Sequence, residues 1–202
     1  MLTIVIQAGG ESRRMGQDKA LLPFFGKPLI QRILERIKVL ADEVLVTTNQ
    51  PEDYTFLNLP LFSDLFPGRG ALGGLYTALK AAQYPFVAII ACDMPFVSPE
   101  LIEVEHTLLV DEDQDAVIPR LEGGTEPFHA VYRRDTCLPA VHAAIQADKW
   151  RVNSWFPQVR IRYLSENEIR MVDPRGLAFW NVNTPEELHQ AEELAVDEAD
   201  QS

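Results

Sequence analysis

The residues best suited to chemistry form one short stretch near the start of the chain, Gln7-Ala8-Gly9-Gly10-Glu11-Ser12-Arg13-Arg14-Met15-Gly16-Gln17-Asp18-Lys19. Two glycines leave a strand, and without side chains their backbone N–H groups can approach an anion closely. Arg14 and Lys19 then supply two cations suited to phosphate oxygens. The stretch is not a P-loop: five residues separate Gly10 from Gly16, and Gln17 stands where GxxxxGK[ST] requires lysine. A glycine turn with exposed basic residues would be ordinary. Three glycines, two arginines and a lysine within thirteen residues point instead to a phosphorylated ligand.

Asp93 is the second candidate. It follows the apolar run Phe86-Val87-Ala88-Ile89-Ile90-Ala91 and so emerges where a buried strand meets its carboxyl end. A carboxylate there is badly placed for a core and well placed to share a hard divalent cation with phosphate oxygens. Asn49, in Asn49-Gln50-Pro51, reads from its neighbours as turn chemistry. His106, His142 and His189 have no ligand spacing, and His129, inside a strand, reads as structural. Cys92 and Cys137 lack CxxC spacing, so each reads as a small buried hydrophobe, although a nucleophilic Cys92 stays open. Gly68-x-Gly70-x-x-Gly73 matches the dinucleotide fingerprint, with Asp93 twenty residues beyond Gly73. That makes a dinucleotide-binding oxidoreductase the natural rival. Phe66-Pro67 counts against it by separating the glycines from the preceding strand, where the fingerprint needs direct contact.

The elements that must position these groups alternate in type. Short apolar runs predict strands over 2–6, 43–48, 59–63, 86–91, 115–119, 129–133, 159–164 and 179–182. Leu29, Ile30, Ile33, Leu34, Ile37 and Leu40 recur at helical spacing, and helices are also expected over 72–82 and 135–147. Ser98-Pro99-Glu100 and Thr184-Pro185-Glu186-Glu187 each read as an N-cap followed by proline at the first helical position. Strand and helix in turn predict an α/β domain over residues 1–196, with a mostly parallel sheet flanked by helices. The less regular second half is expected to add an antiparallel element, and residues 197–202 an acidic, frayed tail. Ligands of such sheets bind beyond the carboxyl ends of the strands, where residues 7–19, 47–51, 63–74, 92–95 and 181–185 fall.

The 202 residues include 18 Lys+Arg and 30 Asp+Glu, a formal charge of −12, with 47% hydrophobic residues. That apolar share excludes wholesale disorder, and the charge excludes a generic binder of nucleic acid or anionic membrane. The charge is uneven. Residues 1–40 carry seven basic side chains against three acids, whereas 184–202 carry seven acids and no Lys or Arg. The basic residues from Lys27 to Lys38 read as solvated faces; Arg13, Arg14 and Lys19 suit a small anion. The opening Met1-Leu2-Thr3-Ile4-Val5-Ile6 lacks a charged leader, and no apolar run approaches the ~20 residues of a spanning helix. With two isolated cysteines, a reducing cytoplasmic setting is the expectation.

AGGESRRMGQDK resembles the AGGxSxRMGxxK pattern of nucleotidyltransferases, and most closely the molybdenum cofactor guanylyltransferases. Gly68-Arg69-Gly70-Ala71-Leu72-Gly73-Gly74-Leu75, Cys92-Asp93-Met94-Pro95 and Asn181-Val182-Asn183-Thr184-Pro185 support the likeness in order. Gln7 stands where that family usually has leucine, and Ala71 where proline is common. The resemblance implies a three-layer Rossmann-like nucleotidyltransferase fold and GMP transfer from GTP to the terminal phosphate of molybdopterin, with Mg²⁺ as cofactor. It implies that Gln7, Ala8, Gly9, Gly10, Asn49 and Asp64 line the nucleotide, with Lys19 and Arg14 on its phosphates and Asp93 on the metal. Asn181, Asn183 and Arg151 would lie on the acceptor side. Molybdoenzyme-maturation proteins would be further partners. Ala8-Gly9-Gly10, where related cytidylyltransferases have alanine-alanine-glycine, favours guanine. The alternatives are a cytidylyl- or sugar-phosphate nucleotidyltransferase on the same fold, and a GTP-binding adaptor without turnover.

Overall fold

The computed structural model describes residues 1–8 and 18–199. Its centre is one mixed sheet. Strands β1 (Leu2–Gln7), β4 (Glu43–Thr47), β5 (Leu61–Phe62) and β6 (Phe86–Ala91) are joined by β7 (Ala116–Leu121), β8 (Gly124–Thr125), β9 (His129–Arg133) and β10 (Ile161–Ser165). The order is β10-β7-β9-β6-β1-β4-β5, with β8 paired to β7. A separate two-stranded hairpin, β2 (Pro23–Phe24) and β3 (Lys27–Pro28), leads into helix α1 (Leu29–Ile37).

β1, β4, β5 and β6 pair in parallel, and so do β7 and β10. β9 runs against both of its neighbours, which is the antiparallel element expected of the second half. The interior strands are near-continuous apolar runs because helices cover both faces. Ile4, Ile6, Ala88 and Ile90 point to one face, with α1 and α3 (Pro99–Asp111). Val5, Val87 and Ile89 point to the other, with α2 (Gly70–Ala81) and α4 (Arg134–Gln146). The chain closes with α5 (Glu166–Val172) and α6 (Pro185–Ala199). α6 thus runs on through 197–199, the start of the expected tail, and 200–202 lie outside the described residues. No described helix is long and apolar enough to cross a membrane.

Both proline-led helices begin where their caps put them. Ser98 Oγ accepts from Leu101 N at 3.1 Å. Thr184 and Glu187 bond reciprocally, Thr184 N to Glu187 Oε2 at 3.0 Å and Glu187 N to Thr184 Oγ1 at 3.1 Å. That is a capping box, which satisfies donors at the helix entry.

Two expectations fail. Residues 179–182 form no strand: Val182 N donates to Asp93 O at 2.9 Å, but no ladder forms. This apolar run has the composition of a strand, yet it packs without pairing, Val182 bonding the chain just beyond β6 and the Phe179 ring lying 5.0 Å from that of His129. The basic residues of α1 are also more than solvated faces. Arg32 Nε donates to Pro95 O at 3.0 Å and Arg36 Nε to Val97 O at 2.8 Å. The Arg32 guanidinium also lies over the Phe24 and Phe96 rings. Both arginines therefore tie α1 to the segment just after Asp93. Lys27, paired with Glu35 at the surface, fits the solvated reading.

Candidate active site

β1 delivers Gln7 and Ala8 to the carboxyl end of the sheet, between β4 and β6. The strand ends are laced together there, Ala8 N donating to Thr47 O at 2.8 Å and Cys92 N to Gln7 O at 3.2 Å. Gly9, Gly10 and Arg14 lie outside the described residues.

The chain is described again from Asp18, a residue that fixes the turn beside it. Its Oδ1 accepts from Ala20 N at 3.1 Å and caps a single 3₁₀ turn, Lys19–Leu21. Its Oδ2 accepts from the buried Tyr54 hydroxyl at 2.5 Å. Burial and the Asp18 carboxylate together push the Tyr54 phenol upward, so it remains a neutral donor. Lys19 is thus presented from a turn pinned on both sides.

Lys19 Nζ donates to Asn183 Oδ1 at 2.6 Å. Asn183 is held in turn by Glu187, whose Oε2 accepts from Asn183 N at 2.6 Å as part of the helix cap. Asp93 completes the group. Its backbone carbonyl takes the Val182 N–H, and burial raises its carboxyl above the usual range while the Lys19 charge pulls it down. Lys19, Asp93 and Asn183 therefore converge, one from each third of the chain. Asn181 is adjacent, with Nδ2 donating to Phe179 O at 3.2 Å.

Asn49 and Asp64 form a second group. Asp64 N donates to Asn49 Oδ1 at 3.1 Å, and Asp64 Oδ1 accepts from Phe66 N at 2.9 Å and lies 3.1 Å from Thr77 Oγ1. The turn reading of Asn49 is visible in that first bond. α2 reaches this group through two glycines. A Cβ built on Gly73 would lie 2.9 Å from Phe66 O and 3.1 Å from Asp64 Oδ2, and one on Gly74 only 1.9 Å from Gln7 Nε2. Close approach to the Phe66 backbone requires glycine at 73, while at 74 a side chain would have to displace the Gln7 amide. Leu65, Phe66 and Pro67 lie between Asp64 and Gly68, so the GxGxxG match does not sit at a strand end as a dinucleotide fingerprint must.

Arg151 stands apart. It lines an exposed concavity of about 510 Å³ with Asp148, Lys149, Trp150 and Ser154. Beside it, Arg69 stacks 4.5 Å from the exposed Trp150 ring and pairs with Asp148 at 2.5 Å. The contacts that join Lys19, Asp93 and Asn183 do not extend to this concavity.

Three residues in the site region escape the motifs. Asp18 does carry a signal, since Asp before a short helical turn is a capping residue. Tyr54 carries no such signal. Glu126 precedes the turn that enters β9, its carbonyl accepting from His129 N at 3.2 Å, and its carboxyl feels the Asp93 charge. Burial raises its carboxyl, and the Asp93 charge adds to that. His129 itself is structural, fully buried with Nδ1 3.2 Å from Glu105 Oε1. Burial, with the Asp93 and Asp18 charges adding to it, pushes the Cys92 thiol far up.

Residues 4–159 match the family model of the MobA-like NTP transferase domain. The chain belongs to this family. It is 36% identical over 194 residues to the molybdenum cofactor guanylyltransferase of Desulfosudis oleivorans, covering 95% of this chain and 94% of that one. The probable molybdenum cofactor guanylyltransferase of Pelotomaculum thermopropionicum is 37% identical, covering 96% and 93%. Among solved structures, molybdopterin-guanine dinucleotide biosynthesis protein A of Archaeoglobus fulgidus superposes with a TM-score of 0.83 at 26% identity, over 96% of this chain and 99% of that one. The MobA-like family is one of nucleotidyltransferases, and this chain has their fold: a mostly parallel mixed sheet between helical layers.

Proposed function

We propose that this protein transfers GMP from GTP to the terminal phosphate of molybdopterin. An oxygen of that phosphate attacks the α-phosphorus of GTP. The α–β phosphoanhydride bond breaks, pyrophosphate leaves, and a new phosphoanhydride links the two halves of a guanine dinucleotide cofactor. The observation that carries this reading is the convergence of Lys19, Asp93 and Asn183 at the carboxyl end of the sheet, in a chain whose relatives bear the guanylyltransferase name.

Such chemistry asks the protein to position groups in line and to stabilise charge, with little covalent participation. Lys19 brings a cation to phosphate oxygens and is held on Asn183 until they arrive. Gln7 and Ala8 end β1 against the nucleotide, with Asn49 and Asp64 on the nucleoside side. Gly9, Gly10 and Arg14 would add amides and a second cation on the triphosphate. Asn181 and Asn183 face the reacting phosphates; Arg151, which stands apart from them, is assigned to the acceptor side by family likeness alone. A nucleophilic side chain is not needed.

Mg²⁺ is the cofactor we assign, and Asp93 would hold it. The donor set fits: Asp93 offers a desolvated carboxylate, and no group of three His, Cys, Asp or Glu converges among the described residues. Mg²⁺ is commonly bound through one or two carboxylates together with substrate phosphates and water. When bound, the ion neutralises charge on the phosphates.

The test is turnover. Purified protein with Mg²⁺, GTP and molybdopterin should release pyrophosphate and yield the guanine dinucleotide by mass spectrometry. Asp93→Ala should abolish both while leaving the melting transition in place. Absence of pyrophosphate release by the unaltered protein, with GTP bound, would leave the adaptor reading in its place.

A further inference from the structure

The loop that carries Arg151 stands apart from Lys19, Asp93 and Asn183, yet one side chain ties it to the other half of the site. Arg69 lies between Gly68 and Gly70, whose backbones turn left-handed at φ 84° and 55° and set it at the entry of α2. Its stem borders the nucleoside group: a Cβ built on Gly73 would lie 3.1 Å from both Arg69 Cβ and Asp64 Oδ2. Its head reaches across to the end of α4. There the guanidinium stacks 4.5 Å from the centre of the Trp150 ring, and Nη1 donates to Asp148 Oδ1 at 2.5 Å.

The aspartate stands there against local preference. α4 ends in a Schellman motif, Lys149 N donating to Ala144 O and Asp148 N to Ile145 O, each at 3.0 Å, with Asp148 left-handed at φ 55°. Glycine is the usual residue at that position, because a Cβ is strained in the left-handed region. Here a side chain occupies it, and its carboxylate meets Arg69. From Asp148 the loop runs exposed through Lys149, Trp150 and Arg151 before the buried Trp155 anchors it. Arg69 fastens that exposed crest to the turn that follows Asp64.

We propose that Arg69 is a positioning residue for the acceptor: by holding loop 148–154 on the nucleotide-side turn, it fixes where Arg151 stands in relation to the nucleotide. This rests on the guanylyl-transfer reading and on the acceptor-side role given there to Arg151. A loop ordered before the acceptor arrives has less freedom to lose on binding, so the tie tightens the acceptor and leaves the chemical step alone. Arginine suits the task, because one planar guanidinium can stack on an indole and pair with a carboxylate together. Lysine keeps the charge but offers no such face.

The experiment combines steady-state kinetics of the full chain with acrylamide quenching of tryptophan fluorescence, the Trp150 share being taken by difference from Trp150→Phe. Arg69→Met should raise KM for molybdopterin about fivefold to tenfold, the combined worth of an exposed stack and an ion pair, with kcat and KM for GTP little changed. Its Trp150 should be quenched more readily before any substrate is added. Arg69→Lys should fall between the two. Asp148→Gly relieves the left-handed strain, so its melting temperature should hold or rise while KM for molybdopterin still increases, a split that a purely structural pair would not give. If Arg69→Met and Asp148→Gly keep the parent KM for molybdopterin, or if quenching of Trp150 is unchanged in Arg69→Met, the inference is overturned while guanylyl transfer stands. If the unaltered protein does not turn over molybdopterin, the inference falls together with that reading.

Discussion

Lys19 and Asn183 are 164 residues apart in the chain and 2.6 Å apart in space, the lysine ammonium donating to the asparagine carbonyl. Both termini of that bond are built locally. Asp18 caps the turn that carries Lys19, and Glu187 of the α6 cap takes the Asn183 N–H. Removing one preorganised donor from a site that stabilises developing charge costs about 10²–10³ in kcat. Lys19→Met should therefore lower kcat/KM for GTP by about a hundredfold, measured by pyrophosphate release. Asn183→Ala should cost less, about tenfold, because it frees the lysine without removing its charge.

Tyr54 supports the same turn from below. Tyr54→Phe deletes the hydroxyl that donates to Asp18 and leaves the ring in its buried place. A hydrogen bond to a charged group is worth about 1.5–3 kcal/mol, so the midpoint of denaturant unfolding should fall accordingly. KM for GTP should rise several-fold as the Lys19 turn loosens. An unchanged KM with lowered stability would assign Tyr54 to the core alone.

Glu105 and His129 make a buried pair that has no part in the proposed chemistry. Burial pushes the Glu105 carboxyl up and the histidine opposes it. His129→Leu leaves a lone buried acid and should destabilise the fold by about 3–5 kcal/mol in urea titrations. The double variant Glu105→Leu with His129→Leu should recover most of that loss, since apolar replacement of a buried pair is often neutral.

Acid stability should register Glu168. Hydrogen bonds from Arg162 and Ser165 hold its carboxyl down at about 2, from an ordinary 4.5. A group depressed in the folded state contributes its stability above the unfolded value and loses it as pH falls through the folded one. The contribution should be complete above pH 4.5 and fade between there and about 2. Because the pair is partly exposed, at 26% for Arg162 and 30% for Glu168, the effect is reduced by solvent and screened by salt. Comparing Glu168→Gln with the parent chain across this window should show the gap closing at acid pH.

Much of the fold is legible in the sequence, for reasons that differ by element. Phe86–Ala91 reads directly because a strand covered on both faces is continuously apolar. The α3 and α6 starts read directly because their caps are local chemistry. Phe179–Val182 misleads because burial, which the sequence shows, does not imply pairing, which it does not. Arg32 and Arg36 mislead because a basic side chain bonding distant carbonyls has the same helical spacing as one facing water. At the site, Asp93 and Lys19 stand at positions that strand ends and glycine turns make conspicuous. Glu126 comes into view only through its nearness in the folded chain to the Asp93 charge, and the burial of the Gln7 amide oxygen only with the contact across Gly74.

The two asparagines sit past residue 159, where the family match ends, on the stretch that leads into the last helix. A ribosome making this protein would therefore finish every strand of the sheet before the lysine met its partner. The Lys19–Asn183 bond joins the turn after β1 to the closing segment, with every later described strand of the sheet between them in the chain.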